Sequence, residues 1–396
     1  MTILLVLITG SYVLLIASLA YGWKKVPIFR IQNKEPFHKF SIIIPYRDEA
    51  ENLPYLLRSF LKMEYPYTHY EIILVNDDSS DDSRKICADF RNDHPYFRIT
   101  LLENKRLTGA PKKDAITTAV NKAMFSHMLT TDADCILPCY WLQAFNEILL
   151  ETEAQLVAGP VSSPINPRKK IRNSGDADSW ESKRAGRGRK YLYAFQEMDL
   201  MSLQAAGAGA FGLGNPFLAN GANLCYSREA FLKLEGFKGN EGISSGDDVF
   251  LLQKFKNNQL KSVFLKCAEA VVLTQTQPDL TSLISQRVRW AAKTTAYKSL
   301  FAKITGLLVL LMNLVLVICT VLVFLEIIPY EPVLFAFLFK FLADFLLLFP
   351  AAKFFRRKEV LRNYFWSSLV YPFFSSAVAI MSLFRKFEWK GRTARR

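Results

Sequence analysis

Met128-Leu129-Thr130-Thr131-Asp132-Ala133-Asp134 is the stretch on which the fold turns. Its first four residues have the character of a short buried strand. Two carboxylates follow where that strand ends. In an open α/β sheet, ligands sit at the carboxyl ends of the strands. Asp132 and Asp134 are therefore placed to divide the work. One suits a substrate hydroxyl, and the other suits a divalent cation held through oxygen. A surface turn is the competing interpretation, because Asp is common in turns. The neighbouring segments decide between them.

Upstream, Phe40-Ser41-Ile42-Ile43-Ile44-Pro45 is a near-continuous apolar run, as in a strand covered on both faces. Tyr46-Arg47-Asp48-Glu49 lies at its carboxyl end. Residues 49–63 have helical spacing, with Pro54 in the first turns, where proline is tolerated. Residues 71–75 form a second strand, ending in Asn76-Asp77-Asp78-Ser79-Ser80-Asp81-Asp82-Ser83. Residues 98–102 form a third, and a helix over 112–126 leads into the opening strand. Strands alternating with helices predict a parallel sheet with helices on both faces. Downstream, 146–161 holds a helix end and another strand. Residues 217–226 read as a strand and 227–234 as a short helix. Ser244-Ser245-Gly246-Asp247-Asp248 opens a helix running to about Asn257, where the dipole favours carboxylates. Two short strands follow within 260–273.

Hydrophobicity is concentrated at the two ends. Residues 2–21 are almost wholly apolar, long enough to span a bilayer. Lys24 and Lys25 follow, with no small-residue cleavage site, so residues 1–23 are expected to be a retained anchor with the next domain cytoplasmic. Residues 306–328 and 333–352 are two further spans. Lys340 and Asp344 lie four apart in the second, where a helix would pair them. Residues 364–384 are a third apolar run, interrupted by Pro372. Both of its flanks are basic, which predicts a re-entrant or interfacial hairpin bent at that proline. The net charge of +14 lies beside these segments, in a polar loop at about 164–190 and in the tail at 385–396. That placement suits an anionic membrane face, not nucleic acid. The six cysteines have no metal-ligand spacing and are expected to be reduced thiols.

Three other features bear on chemistry. Gly207-Ala208-Gly209-Ala210-Phe211-Gly212 matches a dinucleotide fingerprint, but it follows a helix and lacks the strand–turn–helix setting. It is expected to be a flexible lid or a close-packing segment. The four histidines are scattered, and no Ser/His/Asp set or Walker loop is present. Within a helix expected over 281–297, Gln286, Arg289, Trp290 and Lys293 share one face. Arginine there offers a planar donor fork for phosphate.

Acidic pairs at strand or helix ends recur at Asp77-Asp78, Asp132-x-Asp134 and Asp247-Asp248. Such a set suits a donor carrying a diphosphate. One group holds the base or ribose, a second holds a divalent ion on the phosphates, and a third takes a proton from an attacking hydroxyl. Lys112 or Lys113, with Arg289, would neutralise charge on the leaving group.

The ensemble resembles glycosyltransferase family 2, membrane-attached inverting enzymes of the GT-A fold. The resemblance covers about Phe40 to Lys293 and the flanking membrane segments. It rests on Ile44-Pro45-Tyr46-Arg47-Asp48-Glu49, Val75-Asn76-Asp77-Asp78-Ser79-Ser80, Thr131-Asp132-Ala133-Asp134, Gly246-Asp247-Asp248 and Gln286-Arg287-Val288-Arg289-Trp290, with Glu388-Trp389-Lys390-Gly391-Arg392 near the end. It implies that Asp78, with Asp77, contacts the base, and that the Pro45, Asp48 and Glu49 segment lies near the nucleoside. Asp132 would touch the donor sugar or ribose, and Asp134, beside Asp132, would bind Mg or Mn. Asp248 would be the general base, unless Asp247 takes that role. Gln286, Arg289 and Trp290 would hold the diphosphate and the acceptor mouth. The chain departs from the family pattern at Asp247, where glutamate is common, and at Asn76, where aspartate is common.

The expected architecture is an anchor, a cytosolic GT-A domain over 24–305 and a membrane region over 306–384. The expected activity is transfer of one sugar from a nucleotide sugar, UDP-linked in the first instance, to a lipid or lipid-linked acceptor. A processive polysaccharide synthase is one alternative, and a catalytically silent membrane scaffold is another.

Overall fold

The structure is a computed structural model and describes residues 2–163, 187–384, 387–389 and 392–394. The basic loop expected at 164–190 lies outside those residues, except that 187–190 already belong to a helix. Most of the basic tail also lies outside them. The chain divides into two compact units. One gathers Met1–Val26, Arg184–Phe217 and Gln277–Phe387, and the other chiefly Pro27–Lys183 and Leu218–Thr276.

The second unit is built on a seven-stranded sheet of order β3-β2-β1-β4-β7-β5-β8. Its strands are β1 (Phe40–Tyr46), β2 (Tyr70–Asn76), β3 (Ile99–Glu103), β4 (His127–Thr130), β5 (Leu156–Ala158), β7 (Leu224–Ser227) and β8 (Ser262–Phe264). Every residue of β2 and all but Pro45 of β1 are buried, which explains their continuous apolar character. β1 pairs in parallel with both β2 and β4. The sheet is mostly parallel, as expected of the GT-A resemblance, with β7 running antiparallel to β4 and β5. The strand expected over 217–226 shrinks to Leu224–Ser227. Asn220 accepts a hydrogen bond from the Ala222 N–H at 3.0 Å, and the chain turns through Gly221–Asn223 instead of joining the ladder.

Helices α2 (Leu53–Phe60), α3 (Ser83–Asp93), α4 (Pro111–Lys122), α5 (Trp141–Thr152), α7 (Arg228–Lys233) and α8 (Asp247–Asn257) belong to this unit. The helix expected from Glu49 starts four residues later, after the left-handed Asp48 at φ +48°. The linker before β1 has no regular structure, yet it is tied down. Glu147 of α5, wholly buried, accepts from the backbone N–H of Gln32 at 2.6 Å and of Lys34 at 3.1 Å. Asn146 accepts from Phe37 and His38. Two further short strands, β6 (Val161–Ser162) and β9 (Val272–Leu273), pair in parallel.

The first unit is helical: α1 (Thr2–Lys25), α6 (Arg187–Gly212), α9 (Leu280–Ala292), α10 (Leu300–Phe324), α11 (Glu331–Phe354) and α12 (Tyr364–Phe384). Among the described residues, four helices are long and apolar enough to cross a membrane: α1, α10, α11, and α12 with the turn before it. The hairpin expected at Pro372 is instead one helix with the proline inside it. Its neighbours α9 and α10 pack along it, and such packing makes an interior proline tolerable. Lys340 and Asp344 pair at 2.5 Å, and the Tyr12 hydroxyl donates to the same carboxylate at 2.6 Å. The glycine-rich run of α6 is no lid. It continues the helix, and a Cβ on Gly209 or Gly212 would strike the backbone carbonyl of Leu19 or Gly22 in α1. Small residues let two backbones approach this closely.

Candidate active site

β1 is flanked by β2 on one side and β4 on the other, so the strand order reverses there. Ligands in open α/β sheets bind at such a crevice, outside the carboxyl ends. Arg47 and Asp48 leave β1 at this edge, Asp77 and Asp78 leave β2, and Asp132 and Asp134 leave β4. Because β7 is antiparallel, its beginning lies beside the end of β4, with Thr130 opposite Leu224. The Thr130 hydroxyl donates to the Gly221 carbonyl at 2.8 Å. That contact brings the Gly221 turn to the same edge.

The β2 side is a basic clamp on two carboxylates. Asp77 is 4% exposed and accepts from Arg106 Nε at 2.8 Å and Asn104 Nδ2 at 2.7 Å. Arg47 Nη1 donates to the Asp77 carbonyl at 2.8 Å. Asp78 sits in the left-handed region at φ +61°, with its side chain 74% exposed. Arg47 and Arg106 lie 3.6 and 3.4 Å from its carboxylate. The buried member of the pair is thus the fixed one, and the exposed member faces outward. Asp48 accepts from the Ser80 backbone N–H at 2.7 Å, which, ahead of the Ser80 hydroxyl and Arg47, holds its carboxyl below the usual range. Asn76 donates to Glu103 at 2.8 Å and accepts from the Ser79 N–H. An ionised aspartate could not donate to Glu103, which accounts for asparagine at this position.

The β4 side carries a lysine between carboxylates. Lys112, in the first turn of α4, donates to Asp132 at 2.7 Å and lies 3.3 Å from Asp247. Burial alone would push its pKa down. The carboxylates of Asp132, Asp247 and Asp248 outweigh that and hold the ammonium above its ordinary range. Asp248 follows in the first turn of α8. Its two oxygens accept from the backbone N–H of Gly221 at 3.2 Å and of Val249 at 2.7 Å. These bonds fix the direction of the carboxylate. A Cβ at Gly221 would stand 2.7 Å from Asp247 Oδ2 and 3.3 Å from Lys112 Nζ, so both side-chain ends would have to shift to admit it. Gly221→Ala is therefore expected to lower turnover roughly 10- to 100-fold by displacing that pair, with little loss of fold. Steady-state kinetics beside a thermal melt would separate the two effects.

Asp134 accepts from the Thr274 hydroxyl at 3.4 Å. Among the described residues no three acidic, histidine or cysteine side chains gather as a closed cage. Mg or Mn in phosphate chemistry is commonly held by one or two carboxylates, with substrate phosphates and water completing the shell. The carboxylates of Asp132 and Asp134 are oxygen donors of the class such an ion takes, although Asp132 already accepts from Lys112.

The other expected residues are placed differently. Pro45 lies within the β1–β2 ladder, opposite Val75. Glu49 accepts from Asn52 at 2.6 Å and precedes α2. Lys113 turns away from Lys112 and is buried. Gln286, Arg289 and Trp290 belong to the first unit. There Arg287, between them in sequence, is buried, as is Val288. Arg287 pairs with Asp199 at 2.5 Å, stacks over Trp290 at 4.2 Å and donates to Gln286. Sequence reasoning missed Asn104, Arg106 and Gly221. Asn104 and Arg106 follow β3 directly, so the strand-end rule applied to that strand would have found them.

Residues 38–293 match the family described as Glycosyltransferase like family 2. The chain belongs to that family. Among family relatives, a poly-β-1,6-N-acetyl-D-glucosamine synthase of Staphylococcus epidermidis is 29% identical over 111 residues, 27% of this chain and 25% of that protein. An undecaprenyl-phosphate 4-deoxy-4-formamido-L-arabinose transferase of Yersinia pestis is 36% identical over 101 residues, 25% of this chain and 30% of its own length. The match thus spans less than a third of either relative. A mannosyltransferase from Pyrobaculum calidifontis, solved with GDP-Man and Mn2+, superposes with a TM-score of 0.56 at 17% identity, over 97% of this chain and 98% of that chain. That likeness is one of fold, and it agrees with the GT-A architecture expected from the motifs.

Proposed function

We propose that this enzyme moves one sugar from a UDP-linked donor to a lipid or lipid-linked acceptor at the cytoplasmic face of a membrane, inverting the anomeric carbon. The observation that carries the reading is the Lys112 bridge between Asp132 and Asp247, with Asp248 oriented beside it at the carboxyl edge of the sheet. Asp78, backed by the fixed Asp77, holds the base. Asp132 orients the donor sugar or ribose, while Asp134 with Asp132 would hold Mg or Mn. The ion, when bound, draws charge from the diphosphate and fixes its position. Asp248 accepts the acceptor hydroxyl proton as that oxygen forms its bond to the anomeric carbon. The bond from that carbon to the phosphate oxygen breaks, and its electron pair leaves with the nucleoside diphosphate. Lys112 offsets the charge that develops there. A single displacement on the opposite face inverts the centre.

A panel of UDP- and GDP-sugars in detergent, with a membrane lipid extract and Mn or Mg, tests the reading. A labelled, organic-extractable product of inverted configuration, abolished by EDTA and restored by Mn, is the expected result. Asp134→Asn should raise the Mn concentration needed for half-maximal turnover by about tenfold or more. Likeness to a polymer-forming relative favours a second reading, polysaccharide synthesis. A long water-soluble product would replace the lipid reading with that one. Absence of any donor consumption or metal-dependent UDP binding would favour the silent scaffold.

A further inference from the structure

Two adjacent lysines in the first turn of α4 serve different ends. Lys112 meets the acidic site. Lys113 is 2% exposed and donates to the main-chain carbonyls of Asn240 and Ile243, both at 2.8 Å. The Phe250 ring centroid lies 4.8 Å from its ammonium. A lysine this buried keeps its charge where carbonyl oxygens and an aromatic face replace water. Both carbonyls belong to residues 235–246, the irregular stretch that joins α7 to α8. That stretch turns through left-handed backbone at Glu235, Gly236, Gly239 and Gly246. Lys254 grips its beginning through the carbonyls of Leu234, at 3.1 Å, and Gly236, at 2.7 Å. Lys113 grips its later half, which ends at Gly246, directly before Asp247 and Asp248. The next residue of the same turn, Asp114, accepts from the backbone N–H of Leu107 and Thr108 at 3.1 and 2.9 Å, next to Arg106. One helical turn therefore fixes the carboxylate bridge, the approach to α8 and the loop that carries the Asp77 clamp.

We propose that Lys113 is the positioning residue for Asp248. By holding Asn240 and Ile243, it sets the main chain that delivers Gly246 and the first turn of α8, and so the direction of the Asp248 carboxylate. The inference rests on Asp248 as the proton acceptor. Lys113→Met keeps the apolar stem and removes the ammonium, so both carbonyls lose that donor while Asp77, Arg106, Lys112 and Asp132 keep their partners. A misplacement on the order of 1 Å costs up to about 100-fold in rate.

The test uses the full chain in detergent as wild type, Lys113→Met and Lys113→Arg. Turnover of a donor that the wild type consumes, UDP binding with Mn, and protease cleavage within 235–246 are measured together. For Lys113→Met, kcat should fall about 10- to 100-fold while donor KM and UDP affinity stay within about twofold, and cleavage should accelerate. Lys113→Arg, whose fork can donate to both carbonyls, should recover part of kcat, and Lys113→Gln, too short to reach both carbonyls, stands in if the methionine variant does not fold. Then a kcat below wild type at unchanged UDP affinity supports the proposal, and wild-type kcat overturns it. Wild-type kcat in Lys113→Met also overturns it, as does a KM that rises in step with falling kcat, which would put the lysine on the donor. If the wild type consumes no donor, the transferase reading fails alone. The cleavage comparison still decides on Lys113: unchanged cleavage overturns its hold on the loop.

Discussion

Asp248→Asn is expected to lower kcat by about 10³-fold while UDP binding changes little, because general-base catalysis typically contributes 10²–10⁴. The change is nearly isosteric. It removes the lone-pair basicity that accepts the hydroxyl proton. It also puts an NH2 donor in place of one of the two oxygens that accept from Gly221 and Val249. Neither loss touches Asp77, Asp78 or Arg106. Single-turnover kinetics beside UDP calorimetry would show chemistry failing while binding persists. Asp247→Asn makes the informative partner. Asp247 is buried and 3.3 Å from Lys112, which suits an electrostatic anchor better than a proton acceptor. It should lose less in kcat than Asp248→Asn. The reverse order would transfer the base role to Asp247.

Lys112→Met should lower kcat/KM by about 10²–10³, the usual range for losing one preorganised charge on a leaving group. The ammonium neutralises Asp132 and Asp247 in the resting site, and the proposed reaction asks it to offset diphosphate charge as well. Its removal leaves two carboxylates facing each other across the position a donor must enter. Lys112→Arg should not fully rescue activity, since a planar fork does not place one compact charge 2.7 Å from Asp132 and 3.3 Å from Asp247. Donor kinetics and a melt on both variants check this. Wild-type kcat/KM in the methionine variant would remove Lys112 from the machinery.

Much of this site was legible before any coordinates because strand ends converge. An apolar run followed by carboxylates needs only the direction of its strand to place those carboxylates, and β1, β2 and β4 run parallel. What stayed hidden depends on distant partners. Gly221 meets Asp248 across 27 residues and Arg106 meets Asp77 across 29, and no local spacing encodes either contact. Neighbouring residues on a helix point about 100° apart, so Lys112 and Lys113 look equivalent in sequence and diverge in space. β7 is four residues long, too short for a period to reveal its direction. The hairpin at Pro372 was expected from the basic residues on both flanks of that run, and packing against neighbouring helices keeps the proline inside one helix.

The glycine contact between α1 and α6 also orders events in time. α1 is synthesised well before α6, but its Gly22 fits against Gly209 and Gly212 of that helix, which begins at Arg187. At translation rates of about 5–20 residues per second, α1 waits roughly 10 to 40 s for those partner glycines, with most of the sheet synthesised in between. A bulky residue at Gly22 should therefore leave early synthesis untouched. Its damage should surface late, as full-length chains that accumulate unassembled and become targets for membrane proteases.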